Sequence, residues 1–180
     1  MSMEARQDLD ELERTIILRD GTAVRLRAIR PEDGVALIAL FDRLSERTIY
    51  QRFFVARRTL PPAWVHALTH VDYRRRLAIV AELDEATGRQ LIGVARYDVT
   101  DTAEAAEVAL VVEDAWQGHG LGTLLLHAIM RAGEACGVRR FRVDVLAENR
   151  RMLRLLSRET EIVSRTTSHG VTEALVRARR

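Results

Sequence analysis

Three glycines stand at alternate positions in the segment Gln117–Thr123, which reads QGHGLGT and closely follows the apolar stretch Glu107–Val112. An apolar stretch, a glycine turn and a helical pattern, in that order, predict a strand that leads through a tight turn into a helix. The first amides of a helix have no intrahelical acceptor and carry the positive end of the helix dipole, while glycine lets an anion approach closely. A diphosphate is therefore the natural ligand for this turn.

Two common nucleotide-binding motifs do not match this segment. The Walker motif needs Gly-Lys followed by Ser or Thr, and the dinucleotide fingerprint needs a different glycine spacing with an acidic residue after the next strand. A glycine turn without any ligand would use the same residue types. The segment thus indicates either an anion site of another kind or a structural turn, and both interpretations stay open at this point.

The size and composition of the chain limit what can position this segment. Its 180 residues, 47% hydrophobic and 30% charged, are typical of one globular domain with one core. We expect a polar tail over residues 1–14 and a single domain over residues 15–180. The net charge of +2 gives no basis for a nucleic-acid partner, and no apolar run is long enough to cross a membrane.

The single cysteine, Cys136, cannot form an internal disulfide, and the N-terminus lacks the features of a secretory signal. Together these predict a cytoplasmic protein. Cys136 falls on the apolar face of a predicted helix and is expected to be a buried structural thiol. The histidines show no metal-ligand spacing, so no metal site is predicted. The sequence is compatible with a monomer or a dimer.

The first third of the chain predicts a hairpin followed by helices. Thr15–Leu18 and Ala23–Ile29 flank Asp20-Gly21, a dipeptide that favours hairpin turns. Pro31 then predicts a helix start. The core-facing stripe of that helix is expected to comprise Val35, Leu37, Ile38, Leu40, Phe41 and Leu44.

Two further short helices are predicted before the middle of the chain. Ser45 is expected to cap a helix that runs through Phe54, and Pro61-Pro62 to open one that runs through Leu68. Three strand-like runs then predict an antiparallel meander, namely Leu77–Leu83, Leu91–Val99 and Ala106–Val112.

The elements after the glycine turn set the topology. A helix is expected from about Leu121 to Cys136, with Gly137 as its terminator. The alternation from Phe141 to Val145 predicts a strand. A helix over about Asn149–Arg158 and a closing strand pair, Ile162–Arg165 with Val171–Val176, complete the chain. The strand, turn, helix, strand unit requires a parallel crossover, so the predicted class is a mixed α/β sheet.

The glycine segment resembles the coenzyme A loop of the GNAT acetyltransferase superfamily, which reads Gln or Arg, any two residues, Gly, any residue, then Gly or Ala. The resemblance extends over roughly Thr15–Val176 and implies a twisted, mostly antiparallel sheet of about six to seven strands with helices on both faces. It also implies acetyl-CoA as cosubstrate, its pantetheine arm lying along the strand that precedes the loop. The residues that it implies for the cofactor are Val111, Val112, Gln117, Gly118, His119, Gly120, Leu121, Gly122, Thr123 and Asn149.

Two positions near the end of the chain bear on this resemblance. Asn149 stands where the family often places an asparagine beside the cofactor, but a plain helix cap explains it equally well. Seven residues later, where many members have a tyrosine that acts as general acid, this chain has Leu156, followed by Ser157. Since a CoA thiol with a pKa near ~8.5 can leave with little protonation, this departure does not exclude activity.

A closer likeness is to the catalytic domain of Pat-type bacterial protein lysine acetyltransferases. It is carried by the segments Leu26–Asp33, Tyr50–Phe54 and Val71–Tyr73, together with Glu107 at the start of the strand before the loop. In that family an acid at this place acts as general base. An alkyl ammonium with a pKa near ~10.4 must lose a proton before it attacks a thioester. Glu107 is therefore the predicted catalytic residue, and Glu104, Glu82 and Asp98 are weaker candidates.

Three functions follow from this resemblance. The first is acetyl transfer to a protein lysine by direct attack in a ternary complex, with acetyl-CoA synthetase as the first protein to try. The second is acetylation of a small-molecule amine, which the same cofactor half would serve. The third, from another class, is a catalytically weak CoA-binding sensor or interaction module.

Overall fold

The computed structural model describes residues 12–85, 88–99 and 105–179. Their strands form one eight-stranded sheet in the order β1-β2-β3-β4-β5-β6-β8-β7. These strands are β1 (Arg14–Ile17), β2 (Ala23–Ala28), β3 (Arg76–Glu85), β4 (Gly88–Val99), β5 (Ala106–Val112), β6 (Phe141–Leu146), β7 (Thr160–Ser168) and β8 (Val171–Ala178). All neighbours pair antiparallel except β5 and β6, which are parallel. The mixed sheet and its parallel crossover are confirmed.

The expected count of about six to seven strands is too low. The two outermost strands, β1 and β7, are both paired along their length. At the N-terminal end, Gly21 has a φ of 87° and the side chain of Asp20 accepts a hydrogen bond from the Thr22 amide at 2.9 Å. The predicted Asp-Gly hairpin is therefore present. It begins at Arg14, while residues 1–11 of the predicted tail lie outside the described part of the chain.

Five helices flank the sheet in the described residues: α1 (Gly34–Arg43), α2 (Glu46–Phe53), α3 (Pro62–Thr69), α4 (Leu121–Ala135) and α5 (Arg150–Glu159). The predicted start at Pro31 is a 3-10 turn over Pro31–Asp33 that leads into α1. Ser45 caps α2 by accepting a hydrogen bond from the Thr48 amide at 3.2 Å, as predicted. α1 and α2 pack with β3 and β4 around one hydrophobic core.

The predicted apolar stripe of α1 is too wide. Leu37, Leu40 and Phe41 are buried, but Val35 is 80% exposed and Ile38 is 39% exposed. A helix turns by about 100° per residue, so only positions three and four apart share a face. Val35 and Ile38 fall outside that arc and point away from the sheet.

α4 packs on the opposite face of the sheet. Leu121, Leu125, Leu126 and Ile129 have no exposed surface, and full burial of each such side chain contributes about 1.5–3 kcal/mol. A Cβ at Gly133 would lie 2.7 Å from the Phe141 ring, so glycine allows α4 to approach β6 closely. α5 packs against α4 and contributes Leu156 to this core. Helices therefore cover both faces, as expected.

The end of α4 is also as predicted, but its cysteine is not. Gly137 adopts a φ of 88° and its amide bonds the carbonyl of Glu134 at 2.9 Å. Cys136 is exposed, so the prediction of a buried thiol is wrong. Its φ of −84° and ψ of 8° show that the chain has already left the helix there, so the residue leaves the apolar face.

A buried ion-pair network joins the first hairpin to the 3-10 turn. Arg27 bonds Asp33 with Nη1–Oδ2 at 2.7 Å and Glu82 with Nε–Oε2 at 3.0 Å, and all three residues are buried. Burial would lower the pKa of Arg27, but the hydrogen bonds that Arg27 donates to both carboxylates raise it overall. Glu82, a weaker catalytic candidate, therefore has a structural role. No helix in the described residues is both long and apolar enough to cross a bilayer.

Candidate active site

A cavity opens where β5 and β6 separate. The two strands pair only at Ala106↔Phe141 and Glu107↔Arg142, and beyond these residues they diverge. Val108–Val112 line one side of the gap and Val143–Val145 the other. β5 keeps its pairing with β4 on its far side. In the described residues, the edge of β5 that faces the gap thus has no strand partner after Glu107, and its main-chain groups can pair with a ligand.

Helices from both faces of the sheet close the gap. α2 contributes Thr48, Gln51 and Arg52, and α5 with the residue before it contributes Asn149, Arg151, Met152 and Leu155. The enclosed volume is about 150 Å³. A space of this shape between two strands accepts an extended chain, because the free strand edge offers alternating donors and acceptors.

The glycine turn forms one end of the cavity. Gly118 and Gly120 both have a φ of 92°, and Gly120 precedes the first residue of α4. The amides of Thr123 and Leu124 both bond the carbonyl of Gly120. The amides of Leu121 and Gly122 come earlier in the helix and so have no intrahelical acceptor. The amides of Leu121 and Gly122 are thus available to an anion, whereas the amide of Thr123, a residue also expected to bind the cofactor, is already bonded to Gly120.

The structure brings six of the ten residues implied for the cofactor to the cavity wall: Val111, Val112, Gln117, Gly118, Gly122 and Asn149. The other four, His119, Gly120, Leu121 and Thr123, lie in the turn but not on that wall. Leu121 has no exposed surface, so only its main chain can reach a ligand. His119 is half-buried, with Nδ1 2.8 Å from Oδ2 of Asp20, and links the turn to the first hairpin.

Gln117 and Asp114 attach the turn to the surrounding helices. The side-chain Nε2 of Gln117 donates to the carbonyl of Val112 at 3.0 Å, and its side-chain Oε1 accepts a hydrogen bond from Arg151. Asp114 accepts hydrogen bonds from the Ser45 amide at 2.9 Å and from the Thr48 hydroxyl at 2.8 Å. Burial would raise the pKa of Asp114, but these bonds hold it below its usual value. The start of α2 is thereby fixed against the turn.

Glu107 lies at the opposite end of β5, beside the point where the strands part. Its Oε2 is 3.2 Å from Nη2 of Arg142, and its side chain is 48% exposed. Glu107 does not line the enclosed part of the cavity. Its charge nevertheless acts on Arg52 and Asp144, which do line it. The predicted base thus stands at the mouth of the cavity, accessible from solvent.

The other acidic candidates are placed differently. Asp98 bonds Arg76 at 2.7 Å and Arg96 at 2.9 Å. Burial would raise the pKa of Asp98, but the bonds from both arginines hold it below its usual value. Both carboxylate oxygens of Asp98 are therefore already bonded to arginines, which makes Asp98 a poor candidate for the general base. Glu104 lies outside the described residues.

Three charged residues of the cavity wall, Arg52, Asp144 and Arg151, were not singled out by sequence reasoning. Asp144 is half-buried, and its Oδ1 has no hydrogen-bond partner in the described residues. Burial, with the nearby charges of Glu107 and Glu173, raises the pKa of Asp144. Arg52, on α2, has its pKa lowered to about 10 by burial and by the charge of Arg96. The only sequence signal was the polar position of Asp144 in an alternating strand.

Asn149 serves as helix cap and also lines the cavity. Its Oδ1 accepts a hydrogen bond from the Met152 amide at 3.1 Å, which caps α5. Both interpretations of Asn149 therefore have support. Leu156 is buried in the core, and the Ser157 hydroxyl bonds the carbonyl of Leu153 at 3.0 Å. No group of three or more metal-ligating side chains occurs in the described parts of the chain.

Comparison with known proteins agrees with this geometry. The model of the acetyltransferase (GNAT) family matches residues 44–159. An acetyltransferase of Pseudomonas aeruginosa is 30% identical over 135 residues, which cover 75% of this chain and 73% of the relative. Acetyltransferase Pat of Mycolicibacterium smegmatis is 31% identical over 142 residues. That match covers 78% of this chain but only 42% of Pat, so the chain spans less than half of that protein.

Solved structures show the same fold. The GNAT domain of PAT from S. lividans superposes with a TM-score of 0.82 at 31% identity, covering 92% of this chain and 96% of that domain. The structure of yncA from Salmonella typhimurium, solved with its cofactor acetyl-CoA, has a TM-score of 0.63 at 17% identity, covering 87% and 93% of the two chains. The family match over more than half of the chain, the P. aeruginosa relative and the separated β5 and β6 all agree: this chain belongs to the GNAT family of acetyltransferases.

Proposed function

We propose that the chain transfers an acetyl group from acetyl-CoA to the side-chain amine of a protein lysine. The diphosphate binds the amides of Gly118–Gly122, the pantetheine arm lies along Val108–Val112, and the thioester reaches the mouth beside Glu107. The observation that carries this proposal is the cavity itself, which has the glycine turn and the start of α4 at one end and a carboxylate at the other. An acetyl-CoA molecule presents its phosphates and its thioester in the same order.

Glu107 prepares the acceptor for attack. A lysine ammonium with a pKa near ~10.4 is almost entirely protonated at neutral pH, so a base must remove a proton before nitrogen can attack. Glu107 takes that proton directly or through water. The nitrogen then bonds the acetyl carbon, the carbon–sulfur bond breaks, CoA leaves as its thiolate, and the nitrogen loses its second proton to water. Leu156 offers no proton, and a thiolate of pKa near ~8.5 needs little help to leave.

The exposure of Glu107 favours a protein acceptor. Its side chain is 48% exposed beside Arg142, so a lysine at the surface of another protein can reach it without entering the enclosed cavity. The relative in M. smegmatis and the structural match from S. lividans are both named Pat. Both points support the lysine acceptor over a small-molecule amine, and acetyl-CoA synthetase is the first protein to test.

Mass spectrometry after incubation with labelled acetyl-CoA tests the proposal. We expect labelled lysines on acetyl-CoA synthetase or another bacterial protein, and none with the Glu107→Gln variant. Glu134→Gln, an exposed glutamate on α4, is the matched control and should behave as wild type. Labelling of small amines alone would assign the second function. CoA binding without transfer to any protein or amine would identify a binding module and contradict the proposal.

A further inference from the structure

Arg52 lies at the acyl end of the cavity. Thr48 and Arg52 are one turn apart on α2, and both line the cavity. The Thr48 hydroxyl is fixed to Asp114 at 2.8 Å, at the end that holds the glycine turn. One helical turn carries the chain about 5.4 Å, and the charges that act on Arg52 are those of Arg96, Asp98 and Glu107. Arg52 is therefore displaced from the turn toward Glu107.

The Arg52 guanidinium has no carboxylate partner in the described part of the chain. It forms no ion pair and no side-chain hydrogen bond there, and its Cζ lies 4.9 Å from the centroid of the Phe53 ring. Of the two carboxylates that attract it, Asp98 is already bonded to Arg76 and Arg96, and Glu107 to Arg142. Burial and Arg96 lower its pKa to about 10. The Arg52 side chain is partly buried. A partly buried cation without a partner is costly, and an anion in the cavity would relieve that cost.

We propose that Arg52 binds a carboxylate of the substrate at the acyl end of the cavity. A guanidinium presents two parallel N–H donors that match the two oxygens of a carboxylate, whereas a neutral acetyl group leaves its charge uncompensated. The carboxylate comes either from a dicarboxylic acyl group on CoA or from an amino-acid acceptor. This inference rests on the placement of CoA in the proposed function, which puts the acyl group at this end. It goes beyond that function, because it adds a substrate that carries a carboxylate, either in place of the acetyl group or in place of the protein acceptor.

The reaction is balanced for either source. One ammonium proton passes to Glu107 and then to water, the acceptor nitrogen bonds the acyl carbon, the carbon–sulfur bond breaks, and CoA leaves as a thiolate. The nitrogen then loses its second proton to water, which gives the neutral amide. The carboxylate bound by Arg52 is chemically unchanged. It holds the acyl group or the acceptor in place, so Arg52 determines substrate specificity and takes no part in proton transfer.

Two pairs of matched ligands separate the two sources. Titration calorimetry compares succinyl-CoA with butyryl-CoA, which has the same number of acyl carbons and no carboxylate. Steady-state kinetics with acetyl-CoA compare free lysine with lysinamide. Hydrogen bonds to a charged group contribute about 1.5–3 kcal/mol, so we expect a preference of about 10-fold or more for the carboxylate in one arm. A preference for succinyl-CoA would place the carboxylate on the acyl group, and a preference for free lysine would place it on the acceptor.

Variants show whether Arg52 causes the preference for ligands that carry a carboxylate. Arg52→Met should remove the preference and Arg52→Lys should keep part of it. Arg47→Met, at an exposed arginine of the same helix outside the cavity, should leave it unchanged. A preference that persists in Arg52→Met overturns the proposal, and so does equal use of the paired ligands in both arms. If CoA itself fails to bind, the proposed function fails as well; if CoA binds without any carboxylate preference, only the role of Arg52 is overturned.

Discussion

Glu107 and Arg142 face each other as the last pair of residues joined in the parallel ladder of β5 and β6, with Oε2 and Nη2 3.2 Å apart. The strands separate immediately beyond them. The same position therefore ends the ladder, opens the cavity and holds the carboxylate that can accept a proton.

Replacing Glu107 with Gln should abolish transfer and leave cofactor binding intact. The amide keeps the shape of the side chain but cannot accept a proton, and general-base catalysis typically contributes about 10²–10⁴-fold in rate. We expect kcat to fall by about that factor, measured as thiol release from acetyl-CoA in the presence of acceptor. Calorimetry should give the wild-type affinity for CoA. Near-normal turnover in this variant would assign the base to another residue, and Asp144, a carboxylate on the cavity wall, is the next candidate.

Gly118→Ala should weaken CoA binding, and Gly137→Ala should not. Both glycines have nearly the same φ, 92° and 88°, and a Cβ at either meets nothing within 4 Å. The backbone strain of about 1–2 kcal/mol is thus matched, but only Gly118 lies in the turn at the cavity. We expect similar melting temperatures and a CoA dissociation constant raised only for Gly118→Ala. Equal affinities would show that the turn does not bind the diphosphate.

Substitutions at Asn149 separate its two roles. Ser is also a good helix cap, so Asn149→Ser should keep the stability of α5, whereas Asn149→Ala should lose about 1 kcal/mol. If the Asn149 amide contacts the cofactor, Asn149→Ser should bind CoA more weakly at unchanged stability. Denaturant unfolding and calorimetry on the two variants measure both effects. Wild-type CoA affinity in Asn149→Ser would leave the residue as a cap alone.

The buried network around Arg27 should dominate the response to mutation in the first hairpin. Arg27→Met removes the cation of the buried Asp33 and leaves the buried Glu82 with only its longer contacts, to Arg25 at 3.9 Å and to Arg89 at 3.7 Å. Breaking such a buried pair costs about 3–5 kcal/mol. Arg25→Met, at the partly exposed neighbour that pairs with Glu13, should cost only about 0–1 kcal/mol. Unfolding in urea measures both, and equal losses would show that the network is not stabilised by Arg27.

The same network predicts how stability depends on acid. Burial would raise the pKa of Asp33, but the hydrogen bonds from Arg27 and the Arg30 amide lower it below 3.8. The stability from a carboxylate with a lowered pKa is complete above its unfolded value and is lost as pH falls through the folded value. Wild type should therefore lose stability most steeply below about pH 4, and Asp33→Asn should lose it less steeply. Unfolding free energies between about pH 6 and about pH 2 test this.

The elements and the loop were predictable because their signals are local. Asp20-Gly21 defines the hairpin, Gly137 ends α4, and the spacing from Gln117 to Gly122 identifies the turn. Which apolar residues of a helix are buried was harder to predict. Val35 and Ile38 are as apolar as Leu37 and Leu40, but they lie on the exposed face of α1. Cys136 was likewise predicted to be buried, but it is exposed because it lies just beyond the end of α4.

The cavity wall was only partly predictable because it is a tertiary feature. Val111 and Val112 came from the family pattern, but Arg52 and Asp144 come to line the same cavity only because β5 and β6 separate and α2 is fixed by Asp114. Nothing in the local sequence around Asp144 distinguishes it from an exposed strand residue. Only the packing reveals that its Oδ1 is buried without a partner in the described residues.

A crystal structure of the chain with acetyl-CoA is the most direct test of the account. We predict electron density for the pantetheine arm between Val108–Val112 and Val143–Val145, with the diphosphate within hydrogen-bond distance of the amides of Gly118–Gly122. The thioester should lie beside Glu107. Acetyl-CoA bound elsewhere, or no bound acetyl-CoA at saturating concentration, would contradict it.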